Sequence, residues 1–228
     1  PRLPPLPAHV AAADLVTGAA GAGDGGPGAT TGLRLPWGLL DLPDEQRRAP
    51  ACWDLAEGEH LAVVGTVRSG RSTLVRTLVR AAGDASTPVH CYVLDGGGAL
   101  AELAALPHVG AVVGPHETWR AARVLARLLE EVAERRRLLA AAGARTLEEL
   151  DASGGGSRPP HLLVALDGWD TWTRVLAEAD PAVGVEPLLR LLREASAVGV
   201  RVLLCGDRSL LTSAAAASAG ALVLLRLA

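Results

Sequence analysis

Leu61-Ala62-Val63-Val64 followed by Gly65-Thr66-Val67-Arg68-Ser69-Gly70-Arg71-Ser72-Thr73 is the stretch from which the rest of the chain is read. An apolar run, a glycine loop and then Leu74-Val75-Arg76-Thr77-Leu78-Val79-Arg80 predict strand, turn and helix, the context a phosphate-binding loop requires. The spacing G-x-x-x-x-G-x-[ST] is complete. Gly65 and Gly70 let the backbone turn so that its N–H groups converge on one point. The helix expected to begin near Ser72 adds free N–H groups and the positive end of its dipole. Ser72 stands where a hydroxyl would ligate Mg²⁺. One position departs from the pattern. Arg71 fills the place of a lysine, and its planar, forked guanidinium is not interchangeable with a compact ammonium. All 22 basic residues are arginine, so drift in composition offers one explanation for Arg71.

Outward from this loop, further apolar runs end in carboxylates. Val89-His90-Cys91-Tyr92-Val93-Leu94-Asp95 and His161-Leu162-Leu163-Val164-Ala165-Leu166-Asp167 read as buried strands, and Val200–Asp207 as another. Shorter strands are expected at Val109–Val113 and Ala221–Leu227. Helices are expected from the loop to Ala82-Gly83, with Gly83 at the C-cap, and over Leu100–Leu106, Glu117–Ala142, Pro187–Ala197 and Ser209–Ser218. Ala51–Leu55 reads as a strand and Asp44–Arg48 as a solvated turn or short helix. Strands buried on both faces and alternating with helices predict an α/β fold around a mostly parallel sheet. Such a fold brings Gly65, Asp95, Asp167 and Asp207 to one sheet edge, where ligands bind.

The acidic partner of the loop is Asp167, placed to hold Mg²⁺ opposite Ser72. Gly168 follows it where hydrolytic relatives carry Glu. Asp95 and Asp170 read as turn caps, with Asp95 able to reach the site. Asp207-Arg208 ends a strand where ring ATPases place a γ-phosphate sensor. Trp169 and Trp172 either stack on a base or a neighbour, or pack under the adjacent loop. Arg135-Arg136-Arg137 reads as a solvated helix face, with DNA the alternative.

Composition bounds the partners. The chain of 228 residues is 49% hydrophobic with a net charge of −3, which suits one globular domain and argues against a strong nucleic-acid binder. Cys91 and Cys205 lie in apolar runs and read as buried thiols in a reducing cytosol. The Pro-rich start and the Gly/Ala-rich residues 18–32 read as a linker over residues 1–32, leaving 33–228 as the domain, and the start at Pro without Met reads as a piece of a longer protein.

The glycine loop, Leu94-Asp95-Gly96-Gly97-Gly98, Leu106-Pro107-His108-Val109-Gly110 and Leu166-Asp167-Gly168-Trp169 together resemble an FtsK/SpoIIIE-type ATPase domain. Within that superfamily the set is most similar to the degenerate domains of the type VII secretion ATPase EccC. The resemblance covers roughly Leu33 to Leu227. It implies a RecA-like P-loop fold and binding of ATP and Mg²⁺. By position Gly65, Ser69, Gly70, Arg71, Ser72 and Thr73 match the nucleotide loop, and Ser72 and Asp167 the metal ligands; Asp95, Asp167 and Asp207 are the candidate catalytic carboxylates. It further implies neighbouring ATPase domains, a homo-oligomeric parent tied to the cytoplasmic face of the membrane, and secreted proteins as substrates. The departures at Arg71 and Gly168 point to a domain that regulates rather than hydrolyses. Two alternatives stand beside this one: a DNA-translocating ATPase, and a nucleotide-free module in which Arg71 folds into the loop and pairs with Asp167.

Overall fold

The computed structural model describes residues 6–7, 10–11, 14–15, 32–56, 58–152 and 158–226. The linker expected over residues 1–32 lies almost wholly outside them, as do residues 153–157 and Leu227. The first element is an antiparallel hairpin of β1 (Arg34–Leu42) and β2 (Arg47–Asp54), turned by a short 3₁₀ segment at Pro43–Glu45. A register shift between Pro36 and Gly38 lets β1 carry a proline that offers no N–H to the ladder.

The second sheet has six strands in the order β5-β4-β6-β7-β3-β8, every neighbouring pair parallel. They are β3 (Leu61–Val64), β4 (Val89–Asp95), β5 (Val109–Val113), β6 (His161–Asp167), β7 (Val200–Gly206) and β8 (Ala221–Leu224). Side chains alternate between two separate cores. Leu162, Val164 and Leu166 of β6 enter one core, which also takes the apolar faces of α2 (Thr118–Ala142), α4 (Trp169–Ala179) and α5 (Glu186–Glu194). Leu163 and Ala165 enter the other, under α1 (Arg71–Gly83) and the hairpin. Burial on both faces is why these strands read as continuous apolar runs.

Several local expectations change. Gly83 is the last residue of α1, not its cap; Asp84 follows it in right-handed conformation. A Cβ at Gly83 would run into the His108 ring, whose Nε2 bonds Val79 O at 2.8 Å. The glycine is needed for close approach rather than for a left-handed turn. Gly83→Ala is therefore expected to cost about 1–3 kcal/mol in a urea unfolding curve, while Gly97→Ala, with open space around it, stays near neutral. Equal midpoints for the two variants would refute this packing.

The segment Ala101–Ala105 is 3₁₀ rather than α-helical, and Pro187–Ala197 divides into α5 and a 3₁₀ turn at Ser196–Val198. The single helix expected over Ser209–Ser218 is two, α6 (Arg208–Leu211) and α7 (Ala214–Ala219). Ser213 ends the first by donating to Leu210 O and starts the second by accepting from Ala216 N. A short helix, α3 (Leu147–Ala152), follows α2.

Candidate functional site

The strand ends are level. Asp95 pairs in register with Asp167, Asp167 with Cys205, and Val64 with Gly206. Gly65, Asp95, Asp167 and Asp207 therefore share one edge, as the alternation of elements predicts. β7 lies between the loop strand β3 and the Asp167 strand β6. Two strand spacings, about 9–10 Å, separate them. The first turn of α1 bridges that gap, and Ser72 Oγ donates to Asp167 Oδ2 at 2.5 Å.

The loop has the shape a phosphate needs. Gly70 has φ +104° with open space around it, and Arg68 at φ 62° adds a second left-handed residue. A Cβ at Gly65 would strike Ser69 Oγ, so this glycine is required by contact. No side chain caps α1, which leaves its first-turn N–H groups open toward the loop. Thr66 ties the loop to the end of the sheet, donating to Arg226 O from both N and Oγ1, at 3.3 and 3.0 Å.

Two buried polar atoms at the loop, Ser69 Oγ and Arg71 Nη1, have no hydrogen-bond partner among the described residues. A bound phosphate would satisfy such donors. Arg71 forms no ion pair with Asp167 among the described residues, although its Nη1 is buried at the loop. Its charge nonetheless reaches both carboxylates. Burial pushes Asp167 above the usual carboxylate range, opposed by the Ser72 hydrogen bond and then by Arg71. Asp207 is held below that range, chiefly by its hydrogen bond with Ser209, with Arg71 adding to it.

Asp95 and Asp207 are committed to caps. Asp95, buried, accepts from Leu100 N at 2.7 Å and Ala99 N at 3.2 Å and so caps the Gly96-Gly97-Gly98 turn. Asp207 caps α6 by accepting from Ser209 N at 2.8 Å. Asp170 lies in the first turn of α4, exposed. Gly168 has φ +88°, a conformation that disfavours Glu at this place. Gly96 N donates to Asp167 O at 2.8 Å, and a Cβ there would lie 2.5 Å from that oxygen. Gly96 therefore sets the spacing of the two strand ends.

The tryptophans are structural. Trp172 is fully buried and its Nε1 donates to Leu94 O at 3.1 Å; Trp169, 5% exposed, packs against Gly206. Neither presents a face to a base. The basic run is corrected in part. Arg135 is buried, bonding Glu131, Val198 O and Pro160 O, and Arg136 is joined to Glu194. Arg136 and Arg137 are both exposed, as the run as a whole suggests, and only Arg135 departs from that reading. Cys91 and Cys205 are buried, and burial pushes the Cys91 thiol up to about 12.

The oxygens of Ser72 and Asp167, next to open N–H donors, fit a Mg²⁺–nucleotide phosphate group: a hydroxyl and a carboxylate for the ion, amides and a guanidinium for the phosphates. No group of three or more His, Cys, Asp or Glu able to hold a metal occurs among the described residues, so any ion here would rest on this small set and on the nucleotide.

The chain is 34% identical over 183 residues to the ESX-4 secretion system protein EccC4 of Mycobacterium tuberculosis, covering 77% of this chain and 14% of the relative. It is 28% identical over 224 residues to the type VII secretion system protein EssC of Staphylococcus aureus, covering 92% of this chain and 14% of that protein. It thus spans about a seventh of the length of these relatives. Among solved structures, ATPases 2 and 3 of Thermomonospora curvata EccC, in complex with a signal sequence peptide, superpose with a TM-score of 0.75 at 30% identity, over 89% of this chain and 38% of that one. The six-strand parallel sheet is the RecA-like P-loop core of these ATPases. Residues 30–165 match the FtsK/SpoIIIE family, and the chain belongs to it.

Proposed function

We propose that this domain binds ATP in the Gly65–Thr73 loop without turning it over, as a regulatory ATPase domain of a multi-domain type VII secretion motor. The observation that carries this reading is the division of labour at the sheet edge. The loop is formed, open and bridged to Asp167 by Ser72, yet Asp95 and Asp207 serve as caps and Gly168 replaces a carboxylate. Neither Asp95 nor Asp207 is then free to orient a water for attack on the γ-phosphate. Ser72 and Asp167 would hold Mg²⁺, which would neutralise phosphate charge there. Arg71 would meet the phosphates as a two-pronged donor. The parent protein would supply neighbouring ATPase domains, a homo-oligomeric ring, attachment at the cytoplasmic face of the membrane, and secreted proteins as substrates. No described helix is long and apolar enough to cross a membrane. The DNA-translocating alternative loses Arg135 from its basic run, because that side chain is buried.

Phosphate release from Mg²⁺–ATP tests the reading. The native chain and Arg71→Lys are both expected at background, because restoring the ammonium does not restore a base. Turnover on the order of 1 s⁻¹ by the native chain would overturn it.

A further inference from the structure

Ser72 and Arg76 stand one helical turn apart on the same face of α1, and both reach across to other strand ends. Ser72 meets Asp167 at the end of β6. Arg76 meets the segment that follows β4: its Nη2 donates to Ala99 O at 2.8 Å and its Nε to Glu102 Oε1 at 2.5 Å. The two side chains are 32% and 45% exposed, so the ion pair by itself contributes little. The bond to the Ala99 carbonyl is the one that holds the backbone.

That backbone leads back to Asp167. Asp95 grips the turn from inside, accepting from Ala99 N at 3.2 Å and Leu100 N at 2.7 Å. Gly96 N donates to Asp167 O at 2.8 Å. The bonds close a ring that runs from α1 through Ser72, Asp167, Gly96, the turn and Arg76 to α1 again. Two members of the ring are free to bend. Gly97 and Gly98 have open space around them, and Gly98 has φ +69°. Among the described residues, the next hydrogen bond from α1 to this connection joins Val79 O to His108 Nε2, beyond the 3₁₀ segment Ala101–Ala105. Without Arg76 the near end of the turn rests on Asp95 alone.

We infer that Arg76 is a positioning residue for the Mg²⁺–nucleotide site: it clamps the turn after β4 to α1 and so fixes Asp167 opposite Ser72. It acts through Gly96 and Asp167 rather than on the phosphates. A partner that holds a metal ligand in place from outside is commonly needed for full affinity. The inference takes its ligand from the nucleotide reading; the clamp on the turn follows from the ring of bonds itself.

The test uses Arg76→Met, which keeps the aliphatic stem, with Ser72→Ala, the double variant, and Arg80→Met as a control for lost charge on the same helix. Hydrogen exchange of the ligand-free chain is measured first. Arg76→Met is expected to speed exchange at the Gly96, Ala99 and Leu100 amides by about tenfold or more, and to leave residues 106–110 unchanged. Arg80→Met, exposed one turn further along, changes neither region. Nucleotide affinity is then compared with Mg²⁺ and in EDTA. Arg76→Met is expected to weaken Mg²⁺–ATP binding about tenfold and ATP binding in EDTA less than about twofold, and to add no further loss to Ser72→Ala. General damage to the fold would weaken both forms alike. Unchanged exchange at the turn, a loss independent of Mg²⁺, or full additivity with Ser72→Ala would each overturn the inference. A native chain that binds no Mg²⁺–ATP would overturn the nucleotide reading and with it the ligand assigned here, while the exchange result separately decides whether Arg76 holds the turn.

Discussion

Arg135→Ala is expected to lower the unfolding free energy by about 3–5 kcal/mol, whereas Arg137→Ala two residues on stays within about 0.5 kcal/mol. The guanidinium is 2% exposed. Its Nε donates to Glu131 at 2.8 Å, Nη2 to Pro160 O at 2.8 Å and Nη1 to Val198 O at 3.2 Å. It thereby joins α2 to the entrance of β6 and to the turn before β7. Truncation leaves two carbonyls and a half-buried carboxylate without their donor, each a desolvated group that water does not reach freely. Arg135→Met keeps the aliphatic stem and should fall between the two, separating lost packing from lost hydrogen bonds. Chemical denaturation of the three variants makes the comparison. An Arg135→Ala midpoint equal to that of Arg137→Ala would contradict the buried placement.

Stability is expected to fall as pH drops from about 6.5 toward 4, by up to about 3 kcal/mol from one residue. His60, 2% exposed, sits at the start of β3. Its Nδ1 accepts from Val202 N at 3.1 Å, and its Nε2 lies 2.9 Å from Leu192 O, which fixes the neutral tautomer with the proton on Nε2. Burial, with the nearby Arg201 charge adding, lowers its pKa to about 4. The unfolded chain therefore binds this proton near pH 6.5 and the folded chain only near pH 4. Between those values the unfolded state holds more protons, so acid favours it; above pH 6.5 the contribution is constant. His60→Gln should remove most of the slope in a pH series of unfolding free energies. His161, also lowered by burial, retains a part. A native chain whose stability does not change between pH 6.5 and 4.5 would rule out a neutral, buried His60.

The two predictions concern residues whose roles are hard to see in sequence. Arg135 sits in a run of three arginines and reads as solvated. Yet it falls on the stripe Ala121, Leu125, Leu128, Val132 and Leu139, three residues after Val132 and four before Leu139, and that spacing was the available signal. A charge on an apolar stripe marks a buried donor with carbonyl partners on other elements, which only the fold supplies. His60 precedes a strand and carries no local pattern; its partners lie more than a hundred residues away. Helix α4 is also obscured, because Asp170, Thr171 and Thr173 are poor helix formers, although Trp169, Trp172 and Leu176 share a face.

The nucleotide edge, by contrast, is legible. A parallel sheet buried on both faces writes itself as apolar runs, and the chemistry sits where each run stops. Gly65, Asp95, Asp167 and Asp207 could be aligned on that basis before any register was known. The cap read for Asp95 is formed and Asp167 meets Ser72; what the runs could not show was that Asp207 turns to cap its own helix.

Equilibrium binding of Mg²⁺–ATP to the purified domain, alongside Arg71→Lys and Ser72→Ala, tests the central claim most directly. Micromolar binding by the native chain, close to that of Arg71→Lys and weakened about tenfold or more by Ser72→Ala, is the predicted result. Binding seen with Arg71→Lys alone would contradict it, and would mean that the native loop has given up nucleotide.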